Sequence, residues 1–88
     1  MRILSFTKDG FDDYTHWQNE DRKTLKRINA LIEDIMRNGP ATGLGKPESL
    51  KKTPGLWSRR IDSKNRLIYS ADERVVVIHA CKTHYGDK

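Results

Sequence analysis

The 88-residue sequence has very little cysteine and no long apolar run. Its single cysteine, Cys81, cannot form a disulfide within the chain or a cysteine cluster for zinc. No apolar run approaches the roughly 18 residues that cross a bilayer, and the first ten residues lack the apolar stretch of a signal peptide. We therefore expect a soluble, cytoplasmic protein.

Apolar residues of all kinds are scarce, at 35% of the chain against 33% charged residues. A chain of this size buries only about 60–65% of its unfolded surface, so the core must be thin. We expect residues 1–88 to form one small domain without a deep pocket for a bulky cofactor, and we assign no cofactor. Three scattered histidines show no metal-ligand spacing.

The net charge of +5 is concentrated in residues 46–66. This segment has seven basic residues and two acidic ones, Glu48 and Asp62, whereas the rest of the chain has ten of each sign. The basic residues are Lys46, Lys51, Lys52, Arg59, Arg60, Lys64 and Arg66. A neutral body with one basic segment indicates a polyanion partner such as nucleic acid. A solvated loop rich in Lys and Arg is the common alternative, so charge alone favours nucleic acid only modestly.

The first forty residues predict one strand and two helices. Residues 2–6 alternate as a short strand does, and Thr7 or Asp9 can cap the helix that follows. The apolar stripe of this helix is formed by Phe11, Tyr14 and Trp17. Residues 21–38 follow the helical period, and Asn38-Gly39-Pro40 ends the second helix.

The second half predicts a long loop and three strands. Residues 41–55 are irregular, which is unusual in a compact domain unless the loop binds or catalyses something. Strands are expected at 56–61, 66–70 and 75–82, joined by turns of hairpin length. The last is apolar on both faces, so we expect it to be central and buried. The predicted class is α+β: an N-terminal strand, a two-helix hairpin on one sheet face, and a three-stranded antiparallel meander that completes the sheet.

Four titratable side chains are candidates for acid–base chemistry. His84 lies at the exit of the last strand and is the best candidate, whereas His79 fits a satisfied core residue and His16 faces water. Glu48 is flanked by lysines, and positive neighbours favour its ionised form. This suits either a salt bridge, which is the commoner role, or a carboxylate base.

One reaction can be catalysed by these types of side chain without a metal ion. RNA carries its own nucleophile, the 2′-hydroxyl, so cleavage needs a base, an acid and cations for the charge that develops on the phosphate. A carboxylate, a histidine and several arginines supply these groups. Tyr85, Trp57 and Phe6 can add a stacking platform for a base, although most buried aromatic residues belong to the core. Alternation places Ser58 and Arg60 on one face of a strand.

Four blocks of sequence carry a family resemblance. They are Gly45-Lys46-Pro47-Glu48 with Leu50-Lys51, Trp57-Ser58-Arg59-Arg60-Ile61, Asn65-Arg66-Leu67-Ile68-Tyr69, and Ala80-Cys81-Lys82-Thr83-His84-Tyr85. With these blocks, and with Asp12-Asp13-Tyr14…Trp17-Gln18 before them, the chain resembles the YoeB/Txe family of toxins in the RelE-like endoribonuclease superfamily. It departs from the family pattern at Ser49, at Lys82 and in the tail Gly86-Asp87-Lys88.

The resemblance implies a microbial RNase-like fold and ribosome-dependent cleavage of mRNA in the A site. By motif, Glu48 is the general base, His84 is the general acid and Arg66 stabilises the phosphorane. The residues expected to contact RNA are Arg60, Lys51 and Tyr85, with Lys46, Lys52 and Arg59 as further phosphate ligands. The family also implies neutralisation by a YefM-like antitoxin and an ability to form homodimers.

Two other functions remain open. The basic segment can belong to a nucleic-acid- or ribosome-binding module without catalysis, which predicts salt-sensitive binding and no product. A toxin of related fold that acts on DNA gyrase is the third hypothesis, and the match at Glu48 and His84-Tyr85 argues against it.

Overall fold

A computed structural model describes residues 1–82 of the chain. These residues form two helices and a five-stranded sheet. The strands are β1 (Ile3–Phe6), β2 (Glu48–Ser49), β3 (Trp57–Arg60), β4 (Arg66–Ala71) and β5 (Val75–Ala80), and the helices are α1 (Lys8–Glu20) and α2 (Arg22–Asn38). The sheet order is β1-β5-β4-β3-β2, which confirms the predicted α+β class.

Both helices begin and end where local signals predict. The Thr7 hydroxyl accepts from the Gly10 amide at 3.0 Å, and the Asp21 carboxylate accepts from the first amides of α2. Gly39 ends α2 with a φ of 88°, a conformation that favours glycine. Neither helix among the described residues has the length and apolar content needed to cross a membrane. Phe11 departs from its predicted place in the core, because its side chain is 51% exposed.

The sheet differs from the prediction at β2 and at β5. Residues 41–55 are not wholly irregular, since Glu48 and Ser49 pair antiparallel with β3 and add a fifth strand. β5 is an interior strand, parallel to β1 and antiparallel to β4. It is buried on one face only: Val76 and Ile78 are fully covered, whereas residues 75, 77 and 79 are half-buried.

The core lies between the helices and one face of the sheet. The buried face of α2 packs against β4 and β5. The residues that form this cluster are Ile28, Leu31, Ile32, Ile35, Ile61, Leu67, Tyr69, Val76, Ile78 and Cys81. Ile68 and Ala80 are buried but do not belong to this cluster; they lie on the opposite face of the sheet, which we call the outer face.

Candidate active site

The outer face brings together side chains from four strands. A row of directly paired residues crosses it: Glu48, Ser58, Ile68 and Ala80. Arg60 and Arg66 form the next pair in the same direction, two residues along β3 and β4. Side chains alternate along a strand, so Arg66 and Ile68 share the outer face, whereas Leu67 between these two residues enters the core.

Glu48 and Arg66 meet on this face although β3 lies between their strands. Arg66 Nη1 is 3.5 Å from Glu48 Oε1, and the two side chains are 24% and 65% exposed. An exposed pair at this distance contributes about 0–1 kcal/mol to stability. The carboxylate therefore remains accessible to a proton, and the guanidinium keeps donors for a phosphate. The structure shows the salt bridge and is compatible with a base at the same position.

A second guanidinium lies directly across from the first. Arg60 pairs with Arg66 in the register of β3 and β4, and its side chain is exposed. Like charges at directly opposed positions repel, so this arrangement favours an anion between them. The Arg60 amide donates to the Gly45 carbonyl at 2.7 Å, which keeps the exposed Lys46 beside Arg60.

The lysines after β2 lie in the loop that returns to β3. The Leu50 amide donates to the Leu56 carbonyl at 2.9 Å and closes this loop. Lys51 and Lys52 are both exposed within it. The predicted phosphate ligands Lys46, Lys51 and Lys52 thus flank the strand that carries Glu48.

Arg59 does not belong to the phosphate-binding set. It is fully buried on the helix side of the sheet, at 0% exposure. All five N–H groups of a guanidinium have acceptors here: the Tyr69 hydroxyl, the Asp34 carboxylate, and the carbonyls of Gly39, Thr42 and Leu44. No donor remains for a phosphate, so the prediction for Arg59 is wrong.

Asp34 is an important residue that was not predicted from the sequence. Asp34 Oδ2 lies 2.5 Å from Arg59 Nη1 and also accepts from the Leu44 amide at 3.1 Å. The hydrogen bond from Arg59 lowers the pKa of Asp34 below its ordinary value. Through this pair, α2 and β3 hold residues 39–45, the segment that leads into β2. The sequence feature that could have identified Asp34 is the position of its carboxylate at the border of the apolar stripe of α2.

Two of the predicted stacking residues lie in or against the core instead. Phe6 is on β1, at the sheet edge opposite β2, and its ring lies 5.3 Å from the ring of Tyr14. Trp57 is half-buried and packs against the core cluster. Neither can stack on a base at Glu48, which corrects both predictions. Tyr85, and His84 as the predicted acid, lie outside the described residues.

The remaining titratable candidates occupy enclosed positions. His79 is half-buried and lies outside the core cluster, which corrects the predicted core position; its Nε2 is 3.1 Å from Ser70 Oγ, and burial lowers its pKa. His16 is half-buried and packs edge-on against Trp17, so it does not simply face water. Burial raises the pKa of the Cys81 thiol to about 12, which keeps it protonated. Within residues 1–82, no three His, Cys, Asp or Glu side chains are grouped to hold a metal ion.

Ser58 adds a polar group to the outer face. It is 1% exposed and lies between Glu48 and Ile68 in the paired row. Its Oγ is buried without a hydrogen-bond partner among residues 1–82. A buried hydroxyl without a partner is costly, so this oxygen is a candidate donor in a site that gains a ligand. Alternation along β3 predicts that Ser58 shares the face of Arg60, but no motif predicts a role for it.

Comparison with known proteins gives consistent matches over nearly the whole chain. Residues 6–85 match the family model of the YoeB-like toxin of bacterial type II toxin–antitoxin systems. Toxin YoeB of Streptomyces coelicolor is 51% identical over 86 residues, covering 97% of this chain and 100% of that protein.

Solved structures agree with the sequence match. The YoeB dimer from Staphylococcus aureus superposes with a TM-score of 0.89 at 42% identity, over 96% of this chain and 98% of that one. A YoeB–YefM complex from Staphylococcus aureus gives 0.87 at 41% identity, over 97% and 99%. The paired outer-face row and the four sequence blocks thus occur in a chain that belongs to the YoeB-like toxin family of bacterial type II toxin–antitoxin systems.

Proposed function

We propose that this toxin is an endoribonuclease that cleaves mRNA in the ribosomal A site by acid–base catalysis without a metal ion. The observation that carries the proposal is the outer-face arrangement of one carboxylate and two guanidiniums. Glu48 lies 3.5 Å from Arg66, and Arg60 lies directly across from Arg66. This combination supplies a proton acceptor beside a site for a phosphate.

The proposed reaction begins at the 2′-hydroxyl of the RNA. Glu48 accepts its proton, and the oxygen attacks the adjacent phosphorus. As the P–O5′ bond breaks, His84 donates a proton to the departing 5′ oxygen. The products are a 2′,3′-cyclic phosphate and a 5′-hydroxyl. Each positioned proton transfer contributes about 10²–10⁴-fold to the rate.

The arginines act on the phosphate rather than on protons. Arg66 and Arg60 face the negative charge that grows on the non-bridging oxygens in the transition state. Arg66 has a second effect, since its contact with Glu48 at 3.5 Å keeps the proposed base beside the phosphate site. Lys46, Lys51 and Lys52 bind neighbouring phosphates of the strand.

The exposure of the site supports the proposed dependence on the ribosome. Glu48 is 65% exposed and lies on the two-residue strand β2 at the edge of the sheet. Catalysis depends on holding the reacting groups in line, so a second body must position the RNA. A ribosome that holds mRNA in its A site meets this need, and the toxin then acts in the cytoplasm as an inhibitor of translation.

The proposed partners follow from family membership. The YoeB–YefM complex and the YoeB dimer of Staphylococcus aureus support a YefM-like antitoxin and a homodimer for this chain. An antitoxin segment with acidic side chains would compete with RNA for Arg60 and Arg66. We propose that residues 1–88 act as one toxin domain in both assemblies.

The test is cleavage of mRNA in a reconstituted bacterial translation system, with 5′ ends mapped by primer extension. Wild type is compared with Glu48→Gln, His84→Ala and the control Glu73→Gln, which changes an exposed glutamate in the β4–β5 turn. We expect A-site cleavage that needs ribosomes, losses of about 100-fold or more for the first two variants, and none for the control.

Other outcomes would support the other hypotheses. Salt-sensitive binding without new 5′ ends would indicate a non-catalytic nucleic-acid-binding module. Inhibition of gyrase supercoiling without cleavage would indicate the gyrase toxin. Cleavage by Glu48→Gln at the wild-type rate would exclude Glu48 as the base.

A further inference from the structure

Helix α1 is seated directly on the backbone of β5. The Thr7 amide donates to the Ile78 carbonyl at 3.0 Å. One turn on, Gly10 is buried, and a Cβ at this position would overlap the Ile78 carbonyl oxygen. Glycine within a helix is unfavourable by about 1 kcal/mol relative to alanine, so close contact with β5 gives a reason for it.

Farther along the same helix, two side chains hold the backbone of one residue at the exit of β5. The Cys81 amide donates to Asp13 Oδ2 at 2.9 Å. The Cys81 carbonyl accepts from Trp17 Nε1 at 2.7 Å. Cys81 directly follows β5 and is fully buried, so α1 satisfies both of its backbone polar groups where the strand ends. We call these two hydrogen bonds the Cys81 clamp.

The clamp lies close in sequence to the proposed acid. His84 is three residues after Cys81, and three residues span at most about 10 Å of extended chain. Asp13 and Trp17 belong to a sequence block on α1 that the proposed reaction leaves without a role. Fixing the chain at Cys81 limits where a side chain three residues later can reach.

We propose that Asp13 and Trp17 are positioning residues that direct the general acid through the Cys81 clamp. This rests on the proposed function, in which a proton passes from His84 to the departing 5′ oxygen. Neither Asp13 nor Trp17 touches RNA in this proposal. Displacement of a reacting group by about 1 Å can cost up to roughly 100-fold in rate, so loss of one clamp bond should be measurable.

A substrate with a better leaving group separates positioning of the acid from general structural damage. When sulfur replaces the bridging 5′ oxygen, the P–S bond breaks to release a thiolate that needs no proton. A defect in the acid, or in its placement, should disappear with this mRNA. A defect in folding, in RNA binding or in the base should persist.

The variant to test is Trp17→Phe, which keeps an aromatic ring but removes the N–H donor. Its matched control is Tyr14→Phe on the same helix, which removes the 2.7 Å hydrogen bond from the Tyr14 hydroxyl to Asn29. Single-turnover cleavage on ribosomes is measured for the oxygen and the sulfur mRNA. We expect Trp17→Phe to slow the oxygen substrate about 10- to 100-fold. For Trp17→Phe we expect an unchanged ribosome–mRNA concentration at half-saturation and, on the sulfur mRNA, a cleavage rate within about threefold of wild type. We expect the control Tyr14→Phe to cleave both mRNAs at the wild-type rate.

A second pair of variants covers the other bond of the clamp. Asp13→Asn keeps an acceptor oxygen for the Cys81 amide, and Asp13→Ala does not. The proposal requires Asp13→Asn to cleave faster than Asp13→Ala on oxygen, with similar rates on sulfur. This pair also decides the question if Trp17→Phe fails to fold.

The outcomes distinguish the clamp from the function on which it rests. If His84→Ala recovers on sulfur but Trp17→Phe is slow on both substrates, or normal on both, the positioning role is overturned and the endoribonuclease stands. If wild type cleaves neither substrate, or His84→Ala is unimpaired, the assigned acid and its positioning residues are both overturned.

Discussion

Two arginine–carboxylate pairs lie on opposite faces of the same sheet. The Arg59–Asp34 pair is on the helix side, with 2.5 Å between its atoms and an arginine that is 0% exposed. The Arg66–Glu48 pair is on the outer face, with 3.5 Å between its atoms and a glutamate that is 65% exposed. The same two kinds of charged group therefore serve in one place as structure and in the other as a candidate site.

The difference comes from what burial demands. A buried guanidinium loses its hydration and is tolerated only if its donors are matched, as all five are in Arg59. An exposed pair keeps much of its hydration, so each partner stays available to a ligand. Arg59 and Arg60 are adjacent in the chain, yet only Arg60 can contribute to phosphate binding. Counting charge in the basic segment overestimates the charge that faces a partner.

The largest expected effect is the loss of stability in Asp34→Ala. This change leaves the Arg59 charge buried with neutral acceptors only, and breaking a buried pair in this way costs about 3–5 kcal/mol. Urea unfolding followed by circular dichroism measures it. Glu48→Ala is the control, and removal of this exposed carboxylate should change the free energy of unfolding by less than about 1 kcal/mol. Equal losses would show that burial does not distinguish the pairs.

Arg66→Ala should have the opposite effect to Asp34→Ala: it should reduce mRNA cleavage and leave stability nearly unchanged. We expect A-site cleavage to fall about 10²–10³-fold because a donor to the developing phosphate charge is lost. The free energy of unfolding should stay within about 0.5–1 kcal/mol of wild type, since the pair is partly exposed. Arg74→Ala removes one positive charge from the exposed β4–β5 turn and serves as the control for net charge. If both variants lose cleavage equally, Arg66 acts only through overall charge.

Local signals were enough to predict most of the fold. The cap at Thr7, the helical period of α2 and the glycine at its end are each decided by residues close in sequence. Alternation correctly placed Ser58 and Arg60 on one face of β3, opposite Arg59. The family resemblance then singled out Glu48 and Arg66, which the structure brings into contact.

The features that could not be predicted share a different cause, because each depends on residues that are distant in sequence. β2 has only two residues and therefore no period to detect, and it exists because β3 pairs with it. Arg59 is tolerated in the core because Asp34, 25 positions away, meets its charge. The register shift between β4 and β5 near His79 also has no local signal. Long-range pairing decides these features, and a single sequence does not show it.

Two glycine-to-alanine variants test whether the buried Arg59–Asp34 pair depends on the loop that encloses it. Gly43 has φ +121°, and a Cβ there would overlap the Asp34 carboxylate, whereas Gly55 has φ +92° with nothing within 4 Å. Both alanine variants share the backbone strain of about 1 kcal/mol. We expect about 1 kcal/mol for Gly55→Ala and about 2–3 kcal/mol for Gly43→Ala in urea unfolding, because overpacking adds to the strain. Equal values would mean that the Asp34 carboxylate can move aside.

The smallest expected effect is in the pH dependence of stability. The Arg59 hydrogen bond lowers the pKa of Asp34, so the folded state favours the ionised carboxylate more than the unfolded state does. Its contribution is present above the unfolded pKa of about 3.9 and is lost as pH falls through the lower folded pKa. The free energy of unfolding of wild type should therefore fall below about pH 4.

Asp34→Asn should show a shallower fall over the same acidic range, measured by urea unfolding at a series of pH values. The fall should not vanish, because backbone hydrogen bonds from Thr24 and Arg74 also lower the pKa values of Asp21 and Asp72. A curve parallel to that of wild type would show that Arg59 does not discriminate between the charged and neutral forms of Asp34. The contrast between the two ion pairs would then rest on packing around Arg59 and not on its charge.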